Sequence, residues 1–218
     1  MKKLQLLAAA LFATIGLSAQ EKGNLELGFG VGYNYSIVSG IDYYDYNGYN
    51  GPDFSSGFNL GFSADYYFND EWSIKAKVIY DRKGWDNDYI SIYDPLTDTD
   101  DLYLTDFNLD YITVPVMANW HFGRTNNWYL NFGPYVGFLL NAEDTVFNND
   151  VKSQTEATDF GLAYGIGVKI PLNNYLKFFI EYEGQAGLTD VIKDTRNYSN
   201  LETNSRGAFN VGVNFLLK

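Results

Sequence analysis

The stretch Ser56-Gly-Phe-Asn-Leu-Gly-Phe-Ser-Ala-Asp-Tyr-Tyr-Phe68 is followed, after only Asn69-Asp-Glu71, by Trp72-Ser-Ile-Lys-Ala-Lys-Val-Ile-Tyr-Asp-Arg-Lys83. Both halves alternate with period two. Phe58, Leu60, Phe62, Ala64, Tyr66 and Phe68 share one side, against Asn59, Gly61, Ser63, Asp65 and Tyr67. Trp72, Ile74, Ala76, Val78 and Tyr80 stand against Ser73, Lys75, Lys77 and Asp81. Successive strand side chains point to opposite faces, so each half is a strand with one apolar and one polar face. The turn between them is too short for anything but an antiparallel hairpin. Globular strands average about 5–6 residues, whereas a tilted membrane-crossing strand needs about 9–11. These halves have the membrane length.

The same pattern recurs outward from this hairpin, at 24–36, 105–122, 128–140, 158–170, 175–188 and 206–217. In the stretch 105–122, Phe107, Leu109 and Tyr111 fall on the opposite parity to Ile112, Val114, Val116, Ala118 and Trp120, and a bulge near Tyr111 is expected to reconcile them. The connections 69–71, 123–127 and 171–174 are short. Those at 37–55, 84–104, 141–157 and 189–205 are long. Strict alternation of short turns and long loops is the habit of outer-membrane barrels. The expected fold is all-β, an eight-stranded antiparallel up-and-down transmembrane β-barrel over 20–218, with both termini periplasmic.

Aromatics sit where the membrane interfaces belong. Trp72, Trp120 and Trp128 lie beside the short turns with Phe68 and Tyr175, and Tyr33, Tyr35, Tyr80 and Trp85 lie towards the long loops. Gly28, Gly30, Gly32, Gly61, Gly133, Gly137, Gly161, Gly165, Gly167 and Gly212 share the polar faces, as room inside a narrow barrel would require. The structural rival is a soluble exported lipocalin-like calyx, which would turn the apolar stripe inwards around a ligand.

Composition narrows function. The 218 residues carry a formal charge of -12, which disfavours binding to a nucleic-acid backbone. There are 0 Cys and 1 His, which removes disulfides, thiol chemistry and histidine-rich metal clusters. At the start, Lys2 and Lys3, the apolar run from Leu4 to Leu17 and then Ser18-Ala19 form a secretory signal peptide over 1–19, leaving Gln20 first. No Cys follows the cleavage site to take a lipid anchor.

The segment Tyr111-Ile-Thr-Val-Pro-Val-Met-Ala-Asn-Trp-His-Phe-Gly123, a polar turn, and Trp128-Tyr-Leu-Asn-Phe-Gly-Pro-Tyr-Val-Gly-Phe-Leu-Leu140 together resemble the PorT-like outer-membrane beta-barrel family of Bacteroidetes. The shared features are a Tyr-rich entry, a strand proline, a Gly after the strand and a Gly-Pro-Tyr-x-Gly strand. The resemblance implies an outer-membrane barrel without catalytic residues, whose founding member is associated with a secretion and gliding apparatus. The C-terminal Phe215-Leu-Leu-Lys218 departs from the usual terminal aromatic.

The inward face carries both signs of charge, at Asp65, Lys75, Lys77, Asp81, Lys169, Lys177, Glu181 and Glu183. Buried charge must be paired, so these residues are expected to form an interior polar network rather than an ion path. Glu181 and Glu183 are adjacent on one strand face, with no cleft implied for glycosidase chemistry. His121 lies beside a short turn, away from the external side where a lipid-modifying barrel enzyme would need it. The sequons Asn34-Tyr-Ser36 and Asn197-Tyr-Ser199 and the runs Gly28-Phe-Gly30-Val-Gly32 and Gly165-Ile-Gly167 lack the context that would give them meaning. The long loops carry most of the net negative charge. Asp98-Thr-Asp100-Asp101 is a loose calcium candidate without EF-hand spacing. Expected partners are outer-membrane lipid and lipopolysaccharide, with envelope proteins or divalent cations at the acidic loops, and no cofactor. The expected role is structural or interactive, accessory to an envelope or secretion assembly. The alternatives are an outer-leaflet lipid-modifying enzyme and the exported carrier.

Overall fold

The computed structural model of the protein describes residues 23–40, 52–96, 98–193 and 201–217. The expected signal peptide, Asp42, Asp45, Asp194, Arg196 and the sequon at Asn197 lie outside the described residues. The strands are Leu25–Ser39 (β1), Asp53–Tyr67 (β2), Trp72–Asp94 (β3), Thr99–Phe122 (β4), Trp128–Asp144 (β5), Thr158–Pro171 (β6), Leu176–Gly187 (β7) and Thr203–Leu217 (β8). Each pairs antiparallel with the next, and β1 also pairs with β8. The starts of β1 and the end of β8 share one end with the turns 68–71, 123–127 and 172–175; we call this the terminal end, and its opposite the loop end.

The eight-stranded antiparallel up-and-down transmembrane β-barrel expected from the sequence is corrected here, because the sheet does not close evenly into a barrel. Strands β3 and β4 run for 23 and 24 residues, whereas β7 has 12. β2 pairs with β3 only as far as Asp53↔Asp86, and β5 pairs with β4 only as far as Phe107↔Asp144. Beyond that level β3 and β4 continue alone, paired from Asp88↔Thr105 to Asp94↔Thr99. The stretch 84–104, read as a long loop, is therefore mostly a projecting hairpin, and the strict alternation of long and short connections fails there. The misreading has a physical cause. Tyr89, Ile90, Ile92, Tyr93, Leu102, Tyr103 and Leu104 favour strands, but aspartates fall on both faces among them. Opposite pairs such as Ile92↔Asp101 leave no consistently apolar side.

The parity break in β4 also has a different origin from the one expected. Leu109, Tyr111, Thr113, Met117, Asn119 and His121 are all buried on a single unbroken parity. β4 has no bulge at Tyr111; the extra residue is Leu140 across the pair, between Asp110↔Asn141 and Tyr111↔Leu139. The switch in β4 is one of chemistry: its inward residues are apolar near the loop end and polar near the terminal end. A second irregularity lies between Trp85 and Asp88, where Asn87 takes φ 59°. Gly84 precedes it at φ 146°, and a Cβ there would come 1.9 Å from the Phe107 carbonyl oxygen, so only glycine fits.

Sidedness is decided by exposure. Phe29, Phe62, Val78, Ile166, Ile180, Phe209 and Val211 are exposed on the outer wall, while charged and amide side chains are buried inside. This is the opposite of a calyx. Trp72, Trp120 and Trp128 ring the terminal end on the outside, and Trp72 stacks on Trp120 with centroids 6.4 Å apart. Tyr33 and Tyr80 are exposed further up, but Trp85 is not a girdle residue: it is buried against Phe107, centroids 4.7 Å apart.

Glycine opens the lumen where an aromatic ring enters it. Gly61, Gly30 and Gly212 lie side by side across β2, β1 and β8, and Phe179 of β7 pairs with Gly212. A Cβ at Gly30 would meet the Phe179 ring at 2.7 Å. Gly30→Ala is therefore expected to cost about 1–3 kcal/mol through overpacking, read from urea unfolding of the refolded protein. Phe179→Leu in the same chain should return part of that loss. Additive losses would show that the ring does not occupy the space which the glycine leaves.

Candidate functional site

The lumen is built in layers from inward positions on every strand. Nearest the terminal end, Lys169 donates to Glu26 at 2.7 Å and to Asp65 at 2.8 Å, and Lys177 also pairs with Glu26. Asn119 donates to Asp65, and the Tyr67 hydroxyl bridges Lys169 and Glu26. In the middle, Glu181 accepts from Lys75 at 2.9 Å, Tyr129 at 2.9 Å and Asn131 at 3.0 Å, and pairs with Lys77. Lys77 reaches Glu183 as well. Above this, Arg206 bridges Glu183 at 2.7 Å and Asp81 at 2.9 Å, and Asn34 donates to Asp81. Lys83 pairs with Asp159 at 2.9 Å, while Tyr135 and Asn204 donate to the same carboxylate.

The eight interior residues singled out from the sequence fall into two paired groups: Asp65, Lys169 and Lys177 joined with Glu26, and Lys75, Lys77, Glu181, Glu183 and Asp81 joined through Arg206. Four more charged members were missed: Glu26, Lys83, Asp159 and Arg206. Each sits on the inward parity of its strand, so extending the alternation to the strand ends would have found them. Cations and carboxylates match in number, since Lys75, Lys77, Lys83, Lys169, Lys177 and Arg206 face Glu26, Asp65, Asp81, Asp159, Glu181 and Glu183. That balance is what permits charge at this depth, because removing a single partner strands its counterpart in a low-dielectric interior.

Towards the loop end the lumen turns apolar. Val38, Trp85, Leu109, Tyr111, Leu139, Ala142 and Val191 form one buried cluster. Val191 comes from the β7–β8 connection, which is tied to the β5–β6 connection by the bridge Thr155↔Ile192 and by Lys193 N to Gln154 O at 2.8 Å. The cluster lies over the paired charges like a stopper. Below it, a cavity of about 30 Å³ between Gly30, Asn59, Lys75, Lys77, Phe179 and Glu181 has room for about one water molecule.

Catalytic arrangements do not develop among the described residues. His121 Nε2 lies 2.9 Å from Ser73 Oγ, a nucleophile–base spacing, but both residues are buried and the His121 ring stacks on Tyr67 at 4.8 Å. No cleft among the described residues brings a substrate to that oxygen. Asn34 of the first sequon is buried inside and bonded to Asp81, so it is no acceptor for a glycan.

The calcium candidate is spread out. Asp98 sits in the hairpin turn at φ 56° and accepts from Tyr93, while Asp100 and Asp101 are adjacent on β4 and so point to opposite faces. Among the described residues no group of three or more Asp, Glu or His side chains converges as a metal site. At the hairpin base, partial burial and the nearby Asp106 and Asp53 hold the Asp86 carboxyl above its ordinary range.

Residues 18–193 match the outer membrane protein beta-barrel domain family. The chain belongs to that family. With the apolar outer wall described above, this makes it an outer-membrane protein. Among solved structures, Neisserial surface protein A is 17% identical, over 89% of this chain and 99% of that one, with a TM-score of 0.53. The outer membrane protein OprG from Pseudomonas aeruginosa is 14% identical over 89% and 95%, with a TM-score of 0.48. The attachment invasion locus protein Ail of Yersinia pestis is 19% identical over 88% and 98%, with a TM-score of 0.42. The first likeness is one of fold alone, and the other two are too loose to bear on more. No curated protein sequence matches the chain.

Proposed function

We propose that this family member is a closed outer-membrane protein with a structural and surface-interaction role, its loop end outside the cell and its termini in the periplasm. One observation carries this reading: the lumen holds paired charges from end to end beneath an apolar stopper. A conduit needs continuous water, and an ion crossing here would have to break several buried pairs and displace the cluster around Trp85 and Tyr111. The interior network is then a polar core that fixes the barrel's register. The PorT-like motif over Tyr111–Leu140 supports a Bacteroidetes envelope protein accessory to a larger assembly, with lipid and lipopolysaccharide around its outer wall. Neither Ser73 nor His121 supports a lipid-modifying enzyme, since both are sealed in the lumen.

Reconstitution in planar bilayers is the direct test. The folded protein should give no stable unitary currents at 1 M salt. Large, regular conductance steps would overturn the closed reading. Fractionation gives an independent check: the protein should follow the outer membrane and need detergent for release.

A further inference from the structure

We infer that the free outer edge of β4, from Asp100 to Leu104 on the projecting hairpin, takes up an extended cationic segment of another protein as an added strand. This deepens the interaction role proposed above.

The inference starts from an edge. On one side these residues pair with β3, from Tyr93↔Asp100 to Tyr89↔Leu104. On the other side β5 has ended at Asp144; the connection after it sets the Phe147 ring against Tyr103, centroids 5.2 Å apart, and makes its main-chain bonds to the next residues down. There Thr145 N donates to Asp106 O, and Val146 N to the Thr105 hydroxyl. Asp100, Asp101, Leu102, Tyr103 and Leu104 are exposed on both faces. Folded proteins normally blunt such an edge with Lys, Pro, a bulge or a covering element. Thr99–Thr105 contains no Lys and no Pro, and its pairing with β3 is regular throughout. An unblunted strand edge bonds an incoming strand through its main chain, with side-chain positions setting the preference.

Charge selects the occupant. Between Lys83 and Arg124 the sequence contains no Lys or Arg, while Asp86, Asp88, Asp94, Asp98, Asp100, Asp101, Asp106 and Asp110 lie along it. A second copy would place acid against acid. The segment 41–51 carries Asp42 and Asp45 and no cation, so it offers no complement either. An incoming cationic strand would meet Asp100 on one face and Asp101 on the other, with Leu102 and Leu104 continuing the first face and Tyr103 the second.

The test uses the refolded full-length mature protein in lipid nanodiscs and a fluorescein-labelled peptide alternating Lys with Val and Thr. Anisotropy should show saturable binding that weakens as salt rises. The same peptide N-methylated along one edge, and its Glu-for-Lys counterpart, should each bind at least about tenfold more weakly. Hydrogen exchange should slow most at the amides of 100–104 that point away from β3. The double variant Asp100→Lys, Asp101→Lys should lose the Lys peptide and gain the Glu peptide, which a merely damaged hairpin could not do. Equal binding of the N-methylated peptide, or absent binding of the Lys peptide, would overturn the inference. So would slow exchange, before any peptide is added, at the amides of 100–104 that point away from β3: dependence on protein concentration would then mark a second copy as the occupant, and independence a segment of the same chain. Each of these failures leaves the closed lumen standing if the bilayers stay silent, so the two readings fail separately.

Discussion

Glu181→Leu should destabilise the folded protein by about 3–5 kcal/mol, the range for removing one member of a buried ion pair. Its carboxylate is the common acceptor for Lys75, Lys77, Tyr129 and Asn131. Without it, Lys75 keeps no carboxylate partner among the described pairs, whereas Lys77 retains Glu183. Urea unfolding followed by tryptophan fluorescence, with the heat-modifiable gel shift as a second probe, would measure the loss. Arg124→Leu on an exposed turn supplies the control and should stay within about 0.5 kcal/mol. The informative companion is Lys75→Met in the Glu181→Leu chain. Removing the orphaned ammonium should recover a large part of the loss, because the cost lies in the unpaired charge more than in the missing bond. A Glu181→Leu loss below about 1 kcal/mol would mean that the lumen is wet enough to solvate a free ammonium. The closed reading would then lose its main support.

Ile180→Arg should impair membrane assembly by about 2–4 kcal/mol if residue 180 lies near the bilayer midplane. Ile180 is exposed on the outer wall of β7, with Phe179 and Glu181 buried on either side of it. Ile180→Phe keeps the surface apolar and should assemble normally. The absence of Cys makes a facing test clean. Spin labels at 168 and 180 should relax with lipid-dissolved oxygen, and labels at 77 and 181 should be sheltered from it. The reverse pattern would put the apolar stripe inside and remove the membrane reading altogether.

Several local features were legible without any structure. The alternation in 56–83 and its three-residue turn placed β2, β3 and their hairpin almost to the residue at the terminal end. Lys75, Lys77 and Asp81 were placed inside by parity alone, because a strand's side chains have no third direction to take. The outer half of the β3–β4 hairpin was not legible. Parity reports a strand only when one face is buried, and in water at the hairpin neither face is. The same limit put the bulge at the level of Tyr111 on β4, where the pairing does shift, although the extra residue is Leu140 on β5. An apolar residue on the polar parity reads as a register slip, unless one knows that the lumen itself changes from charged to apolar along its length.

The sequence by itself therefore determined which residues of 56–83 face in or out, the two-residue rhythm, the short turns at one end and the mixed sign of the interior charge. These are nearest-neighbour properties, fixed by backbone geometry along one strand. The tertiary structure decided which charges pair. Lys75 and Lys77 on β3 reach Glu181 and Glu183 on β7, strands that are not neighbours in the sheet. Lys169 on β6 meets Glu26 on β1 in the same way. Such contacts span the lumen, and only closure of the sheet brings their partners within a few ångströms. Closure also set the level at which β2 and β5 stop pairing while β3 and β4 go on, and so created the free acidic edge.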